Sequence, residues 1–306
     1  MKRTCGIPRL LALLLTLVLL TGCASGVSAA SSSVPAEDAY PVPEFRDARF
    51  HPENAVTPVS GFQLDESAMA QGYLAMKAQS ENVLKFQISL GDMTYTYTVP
   101  GDNSETILPL NMGSGSYTLR LLENIGDNKY AGLWTDICQV TLEDEFEPFL
   151  RPSQMVKYSA DSQCVALAKE RAASCRTDAE VAAAIYQYVV KHIRYDKQKA
   201  ADVQPGYLPD PDETLDSGKG ICFDYASMTA AMLRSVGIPC KLITGYVDGS
   251  LYHAWNMFYL EDSGWVTAKI EVSADIWNRV DLTFAAEGTG DAELKDDGRY
   301  TTRYTY

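Results

Sequence analysis

The apolar period of this chain switches from two to helical near Pro152, and that switch decides what it can fold into. Before it, apolar residues recur at every second position. Leu84, Phe86, Ile88 and Leu90 interleave with Lys85, Gln87 and Ser89. Tyr95, Tyr97 and Val99 share one side of the next run, Tyr117, Leu119 and Leu121 alternate again, and residues 138–142 close the region. A period of two sends alternate side chains to one face of a strand, so that one face is buried and the other is wet. Turn sequences such as Gly91-Asp92 and Pro100-Gly101-Asp102-Asn103 separate the runs. Short strands at this spacing predict a β-sandwich of immunoglobulin-like type over residues 46–148. Its aromatics are expected in the core and in cross-strand pairs rather than around a ligand.

After Pro152 the period becomes helical. Ala166, Leu167 and Ala173 mark one helix, and Thr177-Asp178-Ala179-Glu180 reads as a capping box before Val181, Ile185, Val189 and Ile193. Pro205, Pro209 and Pro211 mark a loop, and Ala226, Ala230 and Leu233, stopped by Gly237, mark a further helix. Strands are expected over 241–247, 252–260, 264–272 and 277–284, followed by a polar tail with weak strand signals. Helices first and antiparallel strands afterwards make residues 149–306 an α+β unit.

The chain carries 26 Lys and Arg against 40 Asp and Glu, a formal net charge of -14. That balance excludes nucleic-acid binding over a broad surface, which needs a basic face. An acidic surface suits cationic partners but is more often a solubility device. Residues 1–22 read as a leader. Lys2, Arg3 and Arg9 form a basic segment, and Leu10 to Leu20 is an apolar run too short to span a membrane comfortably. The run ends in Leu20-Thr21-Gly22-Cys23, which resembles a bacterial lipobox. The resemblance implies cleavage before Cys23, lipid on its sulfur, and an extracytoplasmic protein held at the cell surface by that lipid alone. Residues 23–45, rich in Ser, Ala, Val and Pro, are expected to be a flexible tether.

Of seven cysteines, Cys5 belongs to the leader and Cys23 to the anchor, and five remain: Cys138, Cys164, Cys175, Cys222 and Cys240. They form no C-x-x-C pair or His cluster, so no metal site is expected. On one helix Cys164 and Cys175 would lie about 16 Å apart, beyond disulfide reach unless the helix breaks between them. Cys240 is expected on a buried strand as a small hydrophobe. His51 is expected at the surface of a linker region, and His192 at the end of an amphipathic helix as a packed residue.

Cys222 is different. It lies in Gly218-Lys219-Gly220-Ile221-Cys222-Phe223-Asp224-Tyr225-Ala226, where a glycine turn breaks into a helix. A thiol at a helix N-terminus meets unpaired backbone N–H groups and the positive end of the helix dipole, which favour its anion. His253 follows in Tyr252-His253-Ala254-Trp255-Asn256, and Asp281 in Trp277-Asn278-Arg279-Val280-Asp281-Leu282-Thr283-Phe284. Cys, His and Asp in this order suit a nucleophile, its base and the carboxylate that orients the base. An imidazole beside a thiol lowers its pKa from about 8.5 to roughly 3–4. On the strand, His253, Trp255, Met257 and Tyr259 share a face. Asp281 is expected on a strand pairing beside that of His253. The Cys222 backbone N–H is expected as one oxyanion donor. Asp224 reads as a first-turn carboxylate suited to the helix dipole, Trp255 as packing beneath the site, and Tyr195 equally as a wall of the cleft or as packing.

These segments resemble the bacterial transglutaminase-like superfamily, relatives of the papain-like fold, over about residues 150–285. Gly218 to Ala226 is similar to its nucleophile motif, Leu233 to Pro239 with Gly245-Tyr246 to the following segment, and His253-Ala254-Trp255-Asn256 to its histidine motif. Trp277, Asp281 and Thr283 fit its aspartate motif, with Leu282 where the family has proline. Aligning Trp265 with the family tryptophan instead places Lys269 at the aspartate position. An inserted strand before Trp277 gives the better match. The resemblance implies a papain/transglutaminase-like domain with a Cys-His-Asp triad and no cofactor. It extends to proteases, amidases, acyltransferases and inactive relatives. The expected activity is acyl chemistry through a thioester on Cys222, hydrolytic or transferring, on a peptide, protein or cell-wall substrate. The rival expectation is a non-catalytic binding or adhesion module on the same fold.

Overall fold

The computed structural model describes residues 38–270, 280–281 and 300–306, with backbone pairing alone for 268–270 and 280–281. The leader, Cys23 and the first part of the expected tether lie outside the described residues.

Eight strands form the N-terminal half: β1 (Val56–Val59), β2 (Phe62–Asp65), β3 (Tyr73–Ala78), β4 (Leu84–Leu90), β5 (Met93–Val99), β6 (Thr106–Pro109), β7 (Gly115–Asn124) and β8 (Tyr130–Val140). They make two antiparallel four-stranded sheets, ordered β1-β2-β3-β6 and β5-β4-β7-β8. The alternating residues face inward as their period requires: Phe86, Ile88, Tyr97, Tyr117, Leu119 and Leu121 pack against Phe62, Leu64, Leu74, Met76 and Leu108 of the other sheet. The Phe62 and Phe86 rings stack across the gap at 5.9 Å. This is the sandwich that the alternation predicts. Two parts differ. β3 is buried on nearly every residue and therefore shows no alternation to read. β8 is an edge strand of eleven residues, mostly exposed, where only a short closing strand is expected.

The C-terminal half begins with α1 (Gln163–Ala172) and α2 (Asp178–His192). Thr177 Oγ1 accepts the Glu180 N–H at 3.2 Å, and the Glu180 carboxylate reaches back to the Arg176 N–H at 2.6 Å. Val181, Ile185 and Val189 form the buried stripe. Next come β9 (Arg194–Tyr195), α3 (Lys197–Asp202), α4 (Pro211–Ser217), β10 (Lys219–Gly220) and α5 (Cys222–Ser235). α4 starts inside the stretch expected to be a loop. Asp210 caps it and Pro211 sits at its first position, where the missing N–H costs nothing. α5 is buried on all sides from Asp224 to Ser235. It ends at Gly237, whose φ of 87° suits glycine.

A five-stranded antiparallel sheet follows: β11 (Cys240–Val247), β12 (Leu251–Leu260), β13 (Gly264–Ile270), β14 (Val280–Asp281) and β15 (Tyr300–Thr305), in the order β14-β13-β12-β11-β15. Ala254, Phe258 and Leu260 of β12 face α5, α1 and α2, while Trp255 and Met257 face the other way, with Ile243, Val247 and Tyr300. The Arg234 guanidinium is buried and donates to the carbonyls of Cys240 and Arg151, both at 2.8 Å, and of Tyr306 at 3.0 Å.

The last residues of the expected tether are not loose. The Tyr40 N–H donates to the Cys175 carbonyl at 2.7 Å, Tyr40, Val42 and Phe45 pack on the helical core, and Pro43 lies against Gly237. Tyr and Phe in this run cover apolar surface that a Ser-rich tether would leave wet. Cys164 lies in α1 and Cys175 beyond its end, and both are free thiols. Cys240 is buried on β11 as expected.

Candidate active site

Cys222 is the first residue of α5, and the clamp on that helix end is built from three side chains. The Asp224 carboxylate, fully buried, accepts the Ile221 N–H at 2.7 Å and the Lys199 ammonium at 2.9 Å. Its other oxygen accepts the Tyr207 hydroxyl at 2.5 Å, and Lys199 also donates to that hydroxyl. A buried carboxylate with an N–H, an ammonium and a hydroxyl around it has its hydrogen-bonding capacity largely filled, which is what makes its burial tolerable. Gly220 is required beside it: a Cβ at that position would lie 2.6 Å from the Asp224 Cβ. Asp224 is thus a first-turn carboxylate as its position predicts, reinforced by two partners that no local sequence signal announces.

The Cys222 sulfur lies against β12. The backbone N–H groups of Ala254, the residue after His253, and of Phe223 lie near enough to the sulfur to favour its anion. The fold therefore brings the helix N-terminus and the His253 stretch of β12 together. The described ladder between β12 and β13 stops at Asn256↔Ala268, before that stretch. His253 is buried, opposite Gly245 of β11, and its ring lies nearly parallel to that of Trp255 at 6.4 Å. Gly245 leaves the room: a Cβ there would meet the Thr301 carbonyl at 2.0 Å and the Trp255 ring at 2.9 Å.

The charge state of the thiol differs from the sequence expectation. Burial pushes the Cys222 thiol above its ordinary pKa, the buried Asp224 charge adds to the effect, and the backbone N–H groups of Ala254, Phe223 and Cys222 itself offset only part of it. Removing water from sulfur penalises the anion more than the helix end relieves it. Burial thus works against the anion that the helix end favours.

Asp281 is on β14, which pairs with β13 and not with the His253 strand; Asp281 stands opposite Lys269. The expected pairing beside β12 is thus replaced by one strand further out, because β13 occupies that edge. Two strand spacings put its backbone about 10 Å from that of β12. Trp255 packs beneath the site, with the Tyr300 ring 5.4 Å away. Tyr195 and Cys222 both pack on the helical core, and burial first, then any negative charge on that sulfur, raises the Tyr195 pKa. His192 is exposed and stacks on Tyr188 at 4.0 Å. His51 is not a free linker residue, since its backbone N–H and ring both contact the buried Asp65 carboxylate, at 2.8 and 3.0 Å. Among the described residues no group of three His, Cys, Asp or Glu is placed to hold a metal ion.

A thiol at a helix N-terminus, against a strand that carries a histidine, defines a papain-like arrangement on an α+β fold. Residues 165–270 match the model of the transglutaminase-like superfamily, so the chain contains a transglutaminase-like domain. The mouse (Mus musculus) kyphoscoliosis peptidase is 30% identical over 114 residues, covering 32% of this chain and 17% of that protein. A protein-glutamine gamma-glutamyltransferase of Pseudomonas aeruginosa is 29% identical over 116 residues, covering 33% of this chain and 17% of that protein. The chain thus spans under a fifth of the length of these relatives. Red sea bream transglutaminase aligns with a TM-score of 0.28 and 14% identity over 64% of this chain and 47% of its own.

Proposed function

We propose that this protein carries out thiol-dependent acyl chemistry on a peptide or amide, with Cys222 as nucleophile and His253 as its base. The observation that carries this reading is the placement of Cys222 at the head of α5, near the Ala254 N–H next in chain to His253, on a helix tied to that strand by the Asn256 Nδ2 bond to the Ala226 carbonyl at 2.9 Å. A buried thiol held protonated is activated only when a substrate amide arrives. The Cys222 Sγ then attacks the carbonyl carbon while its proton passes to the His253 ring. The Cys222 N–H supports the oxyanion. As the C–N bond breaks, His253 returns the proton to the leaving amine, and a thioester remains. Water releases an acid from it; an amine forms a new amide. Asp281 is the carboxylate that the motif assigns to orienting the ring. Cys23 carries lipid that holds the protein outside the cell membrane. No metal or nucleotide takes part in this scheme.

The test is a trapped acyl-enzyme. Candidate peptides and cell-wall fragments are incubated with the protein, quenched in acid, and the Cys222 peptide is weighed. An acyl adduct, absent in His253→Ala, is the expected result. Turnover that persists in Cys222→Ala would exclude the mechanism. The raised thiol pKa favours a second reading, a binding module that uses the same cleft without chemistry. Ligand capture with no adduct under any condition would select it.

A further inference from the structure

A groove of about 990 Å³ opens on the side of the site where Tyr195 stands. Its floor is the parallel pair β9–β10, with Arg194 opposite Lys219 and Tyr195 opposite Gly220. Lys191, Arg194, Lys197 and Lys219 line it, and Asp196 is the one carboxylate among its lining residues. Asp196 is already engaged, accepting Lys219 at 3.0 Å and the Lys199 N–H at 3.0 Å. A chain with 26 basic and 40 acidic residues therefore gathers four cations against one acid beside its nucleophile, a local reversal of the overall charge. Val190 and Ile193 add apolar surface to the same wall. Lys219 is three residues before Cys222, about 10 Å away at the rise of an extended chain.

We infer that this groove binds an acidic peptide segment, and that the acyl donor carries carboxylate side chains a few residues from the reacting amide. The inference rests on the acyl reading of Cys222 for its second half only. The cations come from four separate elements, Lys191 from α2, Arg194 from β9, Lys197 from α3 and Lys219 from β10, with Val190 and Ile193 in the same lining. Cations on four elements around an open groove suit several carboxylates along a peptide, rather than one compact anion. The acidic balance of the chain as a whole, 26 cations against 40 acids, disfavours such a segment over most of the surface.

The test uses full-length Cys222→Ser protein, so that binding is read without turnover. The probe is a short fluorescein-labelled peptide with glutamates flanking a single glutamine; its control has each glutamate replaced by glutamine. Anisotropy is expected to show tighter binding of the acidic peptide, weakening as salt rises. Charge reversal by Arg194→Glu with Lys219→Glu should lower its affinity at least about fivefold, as expected for several partly exposed ion pairs of up to ~1 kcal/mol each. Lys191→Gln with Arg194→Gln leaves the Lys219–Asp196 pair intact and should give a smaller loss in the same direction. Equal affinity for both peptides, or unchanged affinity in both double variants with melting temperature preserved, overturns the inference. So does inorganic polyphosphate displacing the peptide more effectively than free acidic peptide at matched charge. An acidic peptide held in the groove while wild-type Cys222 never forms an adduct would remove the acyl reading and leave the groove standing. Adduct formation indifferent to flanking charge would do the reverse.

Discussion

Asn256 Nδ2 donates to the Ala226 carbonyl at 2.9 Å, and both groups are buried. This bond joins the strand that carries His253 to the helix that begins with Cys222, three residues beyond the histidine and four beyond the cysteine. The same amide also donates to the Lys241 carbonyl at 3.4 Å. It works as a brace between the two halves of the site.

Removing the brace has a defined cost. Asn256→Leu removes a buried side-chain donor from two carbonyls that keep backbone partners, Ala226 within α5 and Lys241 in the β11–β12 ladder, so the cost is that of a lost hydrogen bond, about 0.5–1.5 kcal/mol. Chemical denaturation should show a loss in that range, with Cys222 alkylation altered under native conditions. A variant as stable as the parent would mean that water or a neighbour replaces the amide.

Alkylation also reports the charge state of the sulfur. Because burial raises the Cys222 pKa, its anion is scarce near neutral pH and grows as pH climbs. The rate with iodoacetamide should rise about tenfold per pH unit from pH 6 to 8, as it does for any thiol well below its pKa. Mass spectrometry should still find Cys222 labelled ahead of Cys138 and Cys240, which burial pushes up to about 11 and about 12. A flat profile from pH 6 upward would show a standing thiolate–imidazolium pair instead.

Asp281 and Lys269 face each other across β13 and β14, so the orienting carboxylate has a built-in comparison. Asp281→Asn should lower kcat by a factor of at least about ten while Lys269→Gln leaves it within about twofold, the asymmetry expected if only Asp281 sets the histidine tautomer. Equal effects, or none, would detach Asp281 from the chemistry.

The anchor is tested in cells. Cys23→Ser removes the sulfur that the lipid requires. The variant is expected to leave the membrane fraction for the soluble one. Membrane association as strong as that of the parent would end the lipobox reading.

How much of this was legible depended on whether a signal was local. The stripe Val181, Ile185 and Val189 and the alternation of Leu84, Phe86 and Ile88 announce themselves because one face of each element is wet. β3 is buried on both faces and has no period to read. α4 was hidden among prolines, although Asp210-Pro211 is a good helix start. At the site, Cys222 and His253 are legible through their motifs. The Tyr207 and Lys199 partners of Asp224 come from another stretch of chain and meet it only in three dimensions. The burial that raises the thiol pKa is non-local in the same way: a helix end is visible in sequence, but the strand that shuts water away from the sulfur is not.

β15 pairs with β11 in the second sheet, yet its Tyr304 and the following Tyr306 lie within 5.2 and 5.5 Å of Tyr95 in the sandwich. The Thr305 N–H donates to the Tyr95 hydroxyl at 3.1 Å, and Met155 and Tyr306 touch both cores. A strand shared in this way cannot be released by one half without stripping the other. Calorimetrically the two halves should behave as one body, melting in a single cooperative transition, and force applied to the sandwich should reach the Cys222 cleft without a slack hinge to absorb it.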